Sequence, residues 1–172
     1  LQAAAADLED AITYVDTIET DNAAAAGLLQ SASDKLSEAT SYQTQVDSSM
    51  SVLNQQAQEL SSEAAGWCSM LQSEADMSED GMPAPESIDA AIAALSPLIG
   101  DLITEINNSI ITAPGMENAL SLAQELENSV LDIGTDDGRS SMLYGTSDIV
   151  NELYALSSTQ TSMAATLTDL KT

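Results

Sequence analysis

Histidine and phenylalanine are absent from this chain, which also holds a single cysteine, Cys68, among its 172 residues. Without histidine the chain lacks the commonest general base, the base of a serine triad and the usual zinc ligand. One cysteine cannot form an intrachain disulfide, and no histidine activates its thiol. We therefore expect a buried, unreactive Cys68, with an interchain disulfide or a reactive thiol as the alternative. We expect neither enzymatic activity nor a cofactor.

Basic residues are almost as scarce. The chain has three basic residues, Lys35, Arg139 and Lys171, and 28 acidic residues, so its formal net charge is −25. Nucleic acids and anionic membranes are bound through clustered Lys and Arg, so we expect neither as a partner. The longest uncharged apolar run, Ala90 to Gly100, is too short to cross a bilayer and contains Pro97, which predicts no membrane span.

The chain contains a heptad repeat that runs from Leu1 to about Asp76 without a slip in phase. With position a at Leu1, 19 of the 22 a and d positions are apolar, but only 14 of the other 52 positions up to Glu74 are. Sustained a/d patterning over more than about four heptads is typical of a coiled coil. We predict an all-α protein in which residues 1–77 form one long coiled-coil helix.

The a and d positions define the predicted seam of an oligomer. Its main residues are Leu8, Val15, Ile18, Asn22, Leu29, Leu36, Gln43, Val46, Met50, Leu53, Leu60, Trp67 and Leu71. The flanking e and g positions cannot form the usual interchain salt bridges, because basic residues are missing. Several carry apolar side chains instead, including Ile12, Tyr14 and Leu28. This wider stripe predicts a trimer or larger bundle, or a return helix of the same chain.

Asn22, Gln43 and Gln160 place amides where leucine would pack better. A buried amide without a partner costs about 1–3 kcal/mol, so each should be paired or exposed. In a parallel homo-oligomer, identical residues meet at one level and hydrogen-bond around the axis. We expect Asn22 and Gln43 to face their symmetry mates in a parallel bundle, with a trimer as the expected oligomer.

The rest of the chain is predicted to form shorter helices. The Gly and Pro residues among positions 78–86 predict a linker. We predict that residues 87–172 form three or four helices, which pack on themselves or on the long helix. Ser96-Pro97 predicts either two helices that meet there or a sharp kink. A second Pro/Gly break falls at residues 113–115. The segment from Gly134 to Gly145 predicts a loop, with Ser147 or Asp148 capping the last helix.

Carboxylates are the only abundant reactive groups. The densest group lies on both sides of the predicted linker and comprises Glu74, Asp76, Glu79, Asp80, Glu86 and Asp89. Calcium prefers several oxygen ligands, but the spacing does not match a known calcium loop. A solvated turn explains these residues better, and we predict no metal site.

In composition, the heptads rich in Ala, Ser, Gln and Asp resemble coiled-coil segments of phage tail fibres, other virion parts and bacterial surface stalks. This resemblance implies a structural, self-assembling protein that is a component of a virion, filament or surface appendage, located outside the cell or in the virion. Its expected partners are copies of itself and other structural proteins. The alternative is a non-catalytic adaptor in which the apolar segment from Ile88 to Ile111 docks another protein.

Overall fold

The computed structural model describes residues 2–170, and the side chains from Leu8 onward. Four α-helices follow one another: α1 spans Gln2–Met77, α2 Pro85–Asn108, α3 Pro114–Ser129 and α4 Asp136–Asp169. A single 3₁₀ turn, Val130–Asp132, lies between α3 and α4. No strand occurs among the described residues, and the predicted all-α class is confirmed.

The chain divides into two compact units. One comprises Leu1–Tyr42 and Leu167–Thr172, and the other comprises Gln43–Thr166. The second unit, which we call the bundle, contains the core, because the buried apolar residues of all four helices lie within it, from Met50 on α1 to Leu156 on α4. The first unit contains the N-terminal part of α1, where the side chains of residues 8–35 are all exposed.

Short turns make consecutive helices of the bundle antiparallel. Cys68 and Gln72 of α1 contact Arg139 near the start of α4, whereas Asn54 of α1 shares a groove with Ser157, near the end of that helix. α4 is antiparallel to α3 as well. Asn118, near the start of α3, hydrogen-bonds to Glu152 at 3.4 Å, and a side chain at Gly145 would meet Leu126 near the end of α3.

Glycines allow the closest approaches between these helices. A Cβ atom at Gly145 would lie 2.7 Å from Leu126 Cδ2, and one at Gly115 would lie 2.8 Å from Leu156 Cδ2. At Gly138 it would lie 1.9 Å from the carbonyl oxygen of Asp132. Gly138 therefore has no room for a side chain beside the backbone of the preceding turn, whereas a Cβ atom at Gly115 or Gly145 would have to displace the end of a neighbouring side chain.

The long first helix is confirmed, but the structure does not show a coiled coil along it. The buried stripe in the bundle consists of Met50, Leu53, Ala57, Leu60, Ala64, Cys68, Leu71 and Ala75. After Ala64 the buried position moves from d to e, because Cys68 is buried whereas Trp67 is only half-buried. A straight helix has 3.6 residues per turn and drifts by about 20° per heptad, which explains the shift.

Two predictions about the shorter helices were wrong: a boundary between two helices at Ser96, for which a kink within one helix was the alternative, and a loop from Gly134 to Gly145. α2 continues through Ser96, with Pro97 inside the helix. Because Pro97 and Ala93 are exposed, water can bond to the Ala93 carbonyl that loses its helical donor. The predicted loop from Gly134 to Gly145 is mostly helix, since α4 begins at Asp136. Thr135 caps it, and its hydroxyl accepts a hydrogen bond from the Gly138 N–H at 3.0 Å.

Candidate assembly surface

The exposed part of α1 carries a stripe of large apolar side chains. We define the N-terminal stripe as the a and d positions from Leu8 to Ala39. Leu8 is 63% exposed, Val15 54%, Ile18 50% and Leu29 73%. Isolated exposed apolar residues are ordinary, but a contiguous row is typical of an interaction surface.

The same heptad phase leads from this stripe into the bundle. Met50, Leu53, Leu60 and Leu71 continue the a and d positions and are at most 3% exposed. They belong to the apolar core that the helices of the same chain form, and Met50 lines a groove together with residues of α4. One row of residues is thus covered by helices in its second half and uncovered in its first.

The structure divides the predicted seam accordingly. Exposed are Leu8, Val15, Ile18, Asn22 and Leu29; half-buried are Leu36, Gln43, Val46 and Trp67; buried are Met50, Leu53, Leu60 and Leu71. The buried residues belong to the core of their own chain, as expected from the alternative in which a return helix of the same chain covers the seam. The surface open to another chain therefore narrows to the N-terminal stripe. Leu1 and the side chain of Ala4, which were also assigned to the seam, lie outside the described residues.

The three seam amides have different surroundings. The Gln43 amide nitrogen donates a hydrogen bond of 2.8 Å to Asp47 Oδ1, one turn along the same helix. Gln160 is half-buried and lines the groove between α4 and α1. Asn22 is exposed at the middle of the N-terminal stripe. The pairing of Asn22 and Gln43 with symmetry mates stays a prediction, and Asn22 is better placed for it, because Gln43 has a partner in its own chain.

Most charges of this segment lie away from the stripe. Glu9, Asp10, Asp16, Asp34 and Glu38 occupy the outer heptad positions b, c and f. Lys35 lies beside the stripe at position g and forms an exposed ion pair with Glu38 at 2.7 Å. Glu19 at position e and Asp21 at position g also lie beside the stripe, whereas the other five flanking positions between Leu8 and Ala39 are uncharged. These uncharged positions allow another apolar helix to approach despite the net charge.

Arg139 is a polar core residue that the sequence analysis did not single out. It is 3% exposed, and its Nη1 donates to the carbonyl oxygen of Gly134 at 2.8 Å and of Ile133 at 3.4 Å. Its Nε donates to Gln72 Oε1 at 3.2 Å, and its Nη2 pairs with Asp136. Arg139 thereby joins the turn before α4 to α1. The only available signal was that it is the single arginine of the chain.

Cys68 lies beside this arginine, and its thiol donates to the Arg139 carbonyl oxygen at 3.6 Å. Burial raises the pKa of the Cys68 thiol, and the positive charge of Arg139 lowers it in part. A thiol with a raised pKa is a poor nucleophile at neutral pH. The adjoining open groove of about 630 Å³ is lined mainly by polar residues, which include three serines and the charged Asp76 and Asp136. Nothing in this arrangement favours covalent chemistry.

The acidic residues around the first turn make structural hydrogen bonds. Glu74 accepts from Ser87 Oγ at 2.8 Å and from the Ala84 N–H at 3.2 Å, at the start of α2. Asp80 accepts from Ser78 Oγ and the Met82 N–H, and both bonds lower the pKa of its carboxyl group. Among residues 2–170, no three Asp, Glu or Cys side chains are arranged to hold a metal ion.

By length and composition, α2 is the one described helix that could cross a membrane. Its row Ala91, Leu95, Ile99, Leu102 and Ile106 is buried in the core of the bundle. The core helix of a soluble protein shows the same apolar content, so this property by itself is weak evidence for a membrane span.

Comparison with known proteins gives no family. The chain matches no known protein family, and neither the curated proteins nor the solved structures give a significant match.

Proposed function

We propose that this chain is a structural, self-assembling helical protein and a component of a virion, filament or surface appendage, located outside the cell or in the virion. In this proposal it has no catalytic role. Its partners are copies of itself, and the contact surface is the N-terminal stripe. Other structural proteins of the same assembly are further partners.

The observation that carries this proposal is the unbroken phase between the buried and the exposed halves of one row on α1. Each large apolar side chain buried against a helix contributes about 1.5–3 kcal/mol relative to its exposed state. Long helices in water also depend on the packing of an apolar face for most of their stability. An exposed row of this length is therefore explained best if another helix covers it.

The alternative is a protein-binding adaptor that uses the apolar segment around α2. The regularly spaced residues that would make this contact, such as Leu95 and Ile99, are buried in the core of their own chain. For that reason the N-terminal stripe is the better-supported contact surface.

Solution size tests the proposal. In the stripe variant, Leu8, Val15 and Leu29 are all replaced by Gln, which favours helix and removes the apolar surface. The matched control has Thr13, Thr17 and Ser31 replaced by Gln on the outer face of the same helix. Sedimentation velocity and light scattering over a range of concentrations give the mass of each.

We expect the natural chain and the control to associate, and the stripe variant to be a monomer with an intact bundle. Circular dichroism melting checks the bundle, because its core residues are unchanged. A natural chain that stays monomeric up to high concentration would refute self-assembly. A stripe variant that associates like the control would show that another surface is used.

A further inference from the structure

We infer that the N-terminal stripe pairs with that of a second copy in antiparallel orientation, about a twofold axis between Ala23 and Ala24. This inference rests on the proposed function and specifies the orientation and register of its contact. It replaces the parallel trimer expected from the sequence with an antiparallel dimer, in which Asn22 but not Gln43 lies near its symmetry mate. The facing pairs are Val15 with Ala32, Ile18 with Leu29, and Asn22 with Ala25. Ala11 with Leu36 and Leu8 with Ala39 form the outer layers, in which Leu36 and Ala39 are already half-buried in the single chain. Each pair occurs twice, as a twofold contact requires.

The first argument is the alternation of side-chain size along the stripe. The a positions carry Leu8, Val15, Leu29 and Leu36, whereas four of the five d positions from Ala11 to Ala39 are alanine. A parallel pair or trimer places identical residues opposite each other, so layers of leucine alternate with layers of alanine. The leucines would hold the backbones apart, and the alanine layers would be left with cavities, which destabilise a core.

Reversal of one helix places each a position opposite a d position. Every layer except the two that join Ile18 to Leu29 then combines a larger side chain with an alanine. The layers become more even in volume, and the large side chains interdigitate with small ones, as in a well-packed core. The backbones can approach closely along most of the contact.

The bundle of the same chain uses this kind of packing. α3 and α4 are antiparallel, and there Leu126 lies against Gly145 and Leu156 lies against Gly115. In both cases a large side chain of one helix occupies the space left by a small residue of the other. The inferred dimer repeats this arrangement with alanine in place of glycine.

The second argument is the position of the only polar residue of the stripe. In the inferred register, the two Asn22 side chains lie in the two central layers, on either side of the twofold axis. Those layers are three residues apart, or about 4.5 Å along the helix. The two amides are thus within reach of each other, which satisfies them at the one level where the apolar row is interrupted.

The third argument is charge. Reversed helices bring g positions opposite g positions and e positions opposite e positions. Lys35 then lies opposite Tyr14, where a cation can rest on an aromatic ring, and Asp21 lies opposite Leu28. Glu19 lies opposite Ala26. No acidic residue meets another acidic residue across the contact, which matters in a chain with a charge of −25.

The contact area suits a weak but specific dimer. The segment from residue 8 to 39 is about 48 Å long, and a helix with side chains is about 10 Å wide. Pairing therefore buries on the order of 1,000 Å² in total, near the lower limit of specific interfaces. We expect association at micromolar rather than nanomolar concentrations.

Disulfide trapping distinguishes the orientations. One full-length chain carries Val15→Cys and a second, distinguishable by mass, carries Ala32→Cys; Cys68 is replaced by Ala in both. Mixed and mildly oxidised, they should form the mixed dimer, because residues 15 and 32 face each other. In a parallel assembly these positions are about 25 Å apart, too far for a disulfide, and each chain would link only to its own kind.

The control replaces Ala32→Cys with Ser31→Cys, one residue away on the outer face. It should give at least tenfold less mixed dimer. Links between two Val15→Cys chains would overturn the antiparallel orientation and leave self-assembly intact. Chains that sediment as dimers without forming the mixed link would overturn the register. Chains that are monomeric in sedimentation would overturn both the orientation and the proposed function.

Discussion

At the scale of the residue, Arg139 shows how one buried cation organises a turn. Its guanidinium donates hydrogen bonds to the carbonyl oxygens of Ile133 and Gly134 and to the side chain of Gln72 on α1. A buried carbonyl that loses its donor costs about 1–3 kcal/mol. The α3–α4 turn therefore depends on this side chain for the pairing of two of its carbonyl groups.

We predict that Arg139→Met lowers the free energy of unfolding by about 2–4 kcal/mol, since methionine fills the space but leaves the carbonyl groups unpaired. Urea denaturation at low protein concentration measures the change. Lys35→Met provides the matched control, because the Lys35–Glu38 pair is exposed and should contribute less than about 1 kcal/mol. Equal effects of the two substitutions would contradict the role assigned to Arg139.

Gly138 and Gly145 show why residue type alone misled the prediction of α4. Glycine weakens a helix interior, so the sequence indicated a loop. At Gly138 a Cβ atom would overlap the backbone carbonyl of Asp132, whereas at Gly145 it would meet the end of the Leu126 side chain. The packing gain at these positions outweighs a helix-propensity cost of about 1 kcal/mol each.

At the scale of the element, α2 accommodates Pro97 because of the side on which it lies. Its buried row passes through Leu95 and Ile99, and Pro97 lies on the exposed side between them. Solvent can hydrate the free carbonyl there, and buried apolar residues anchor the helix in the core both before and after Pro97. Tertiary packing thus overrides a strong local signal for a break.

We predict that Pro97→Ala stabilises the bundle by about 1–3 kcal/mol, because alanine restores the hydrogen bond to Ala93 and relieves the clash of the ring. Thermal and urea unfolding measure the gain. At Pro85, the first residue of α2, proline is favoured, so the control Pro85→Ala should have no effect or lower stability by less than about 1 kcal/mol. A loss of stability in Pro97→Ala would indicate that proline adjusts the helix to its neighbours.

At the scale of the whole molecule, charge opposes association. Each chain carries a formal charge of −25, and every oligomer brings such charges together. Salt screens this repulsion, since the Debye length falls from about 10 Å at 0.1 M to about 3 Å at 1 M.

We therefore predict that sodium chloride between 0.05 and 1 M lowers the dissociation constant of the assembly several-fold. Sedimentation at a series of salt concentrations measures it, with an uncharged solute at matched osmolality for comparison. Association that weakens with salt would mean that ionic attractions hold the chains together, contrary to a contact made mainly by apolar side chains.

The sequence by itself determined the helical class, the length of α1 and the breaks after Met77 and Asn108. These features arise from local causes: apolar periodicity, the absence of β-branched runs, and clusters of Pro and Gly. The candidate surface was also visible in the sequence as part of a longer seam, because heptad positions identify an apolar row on one helix.

Only the tertiary structure decided which half of that row is already covered. A row of apolar side chains has the same pattern whether its own chain or another covers it, so Leu53 and Leu29 could not be distinguished. The start of α4, the continuity of α2 and the burial of Arg139 were decided in the same way. Each depends on which backbone or carbonyl group lies nearby in space, and that proximity is set by the packing of helices distant in sequence.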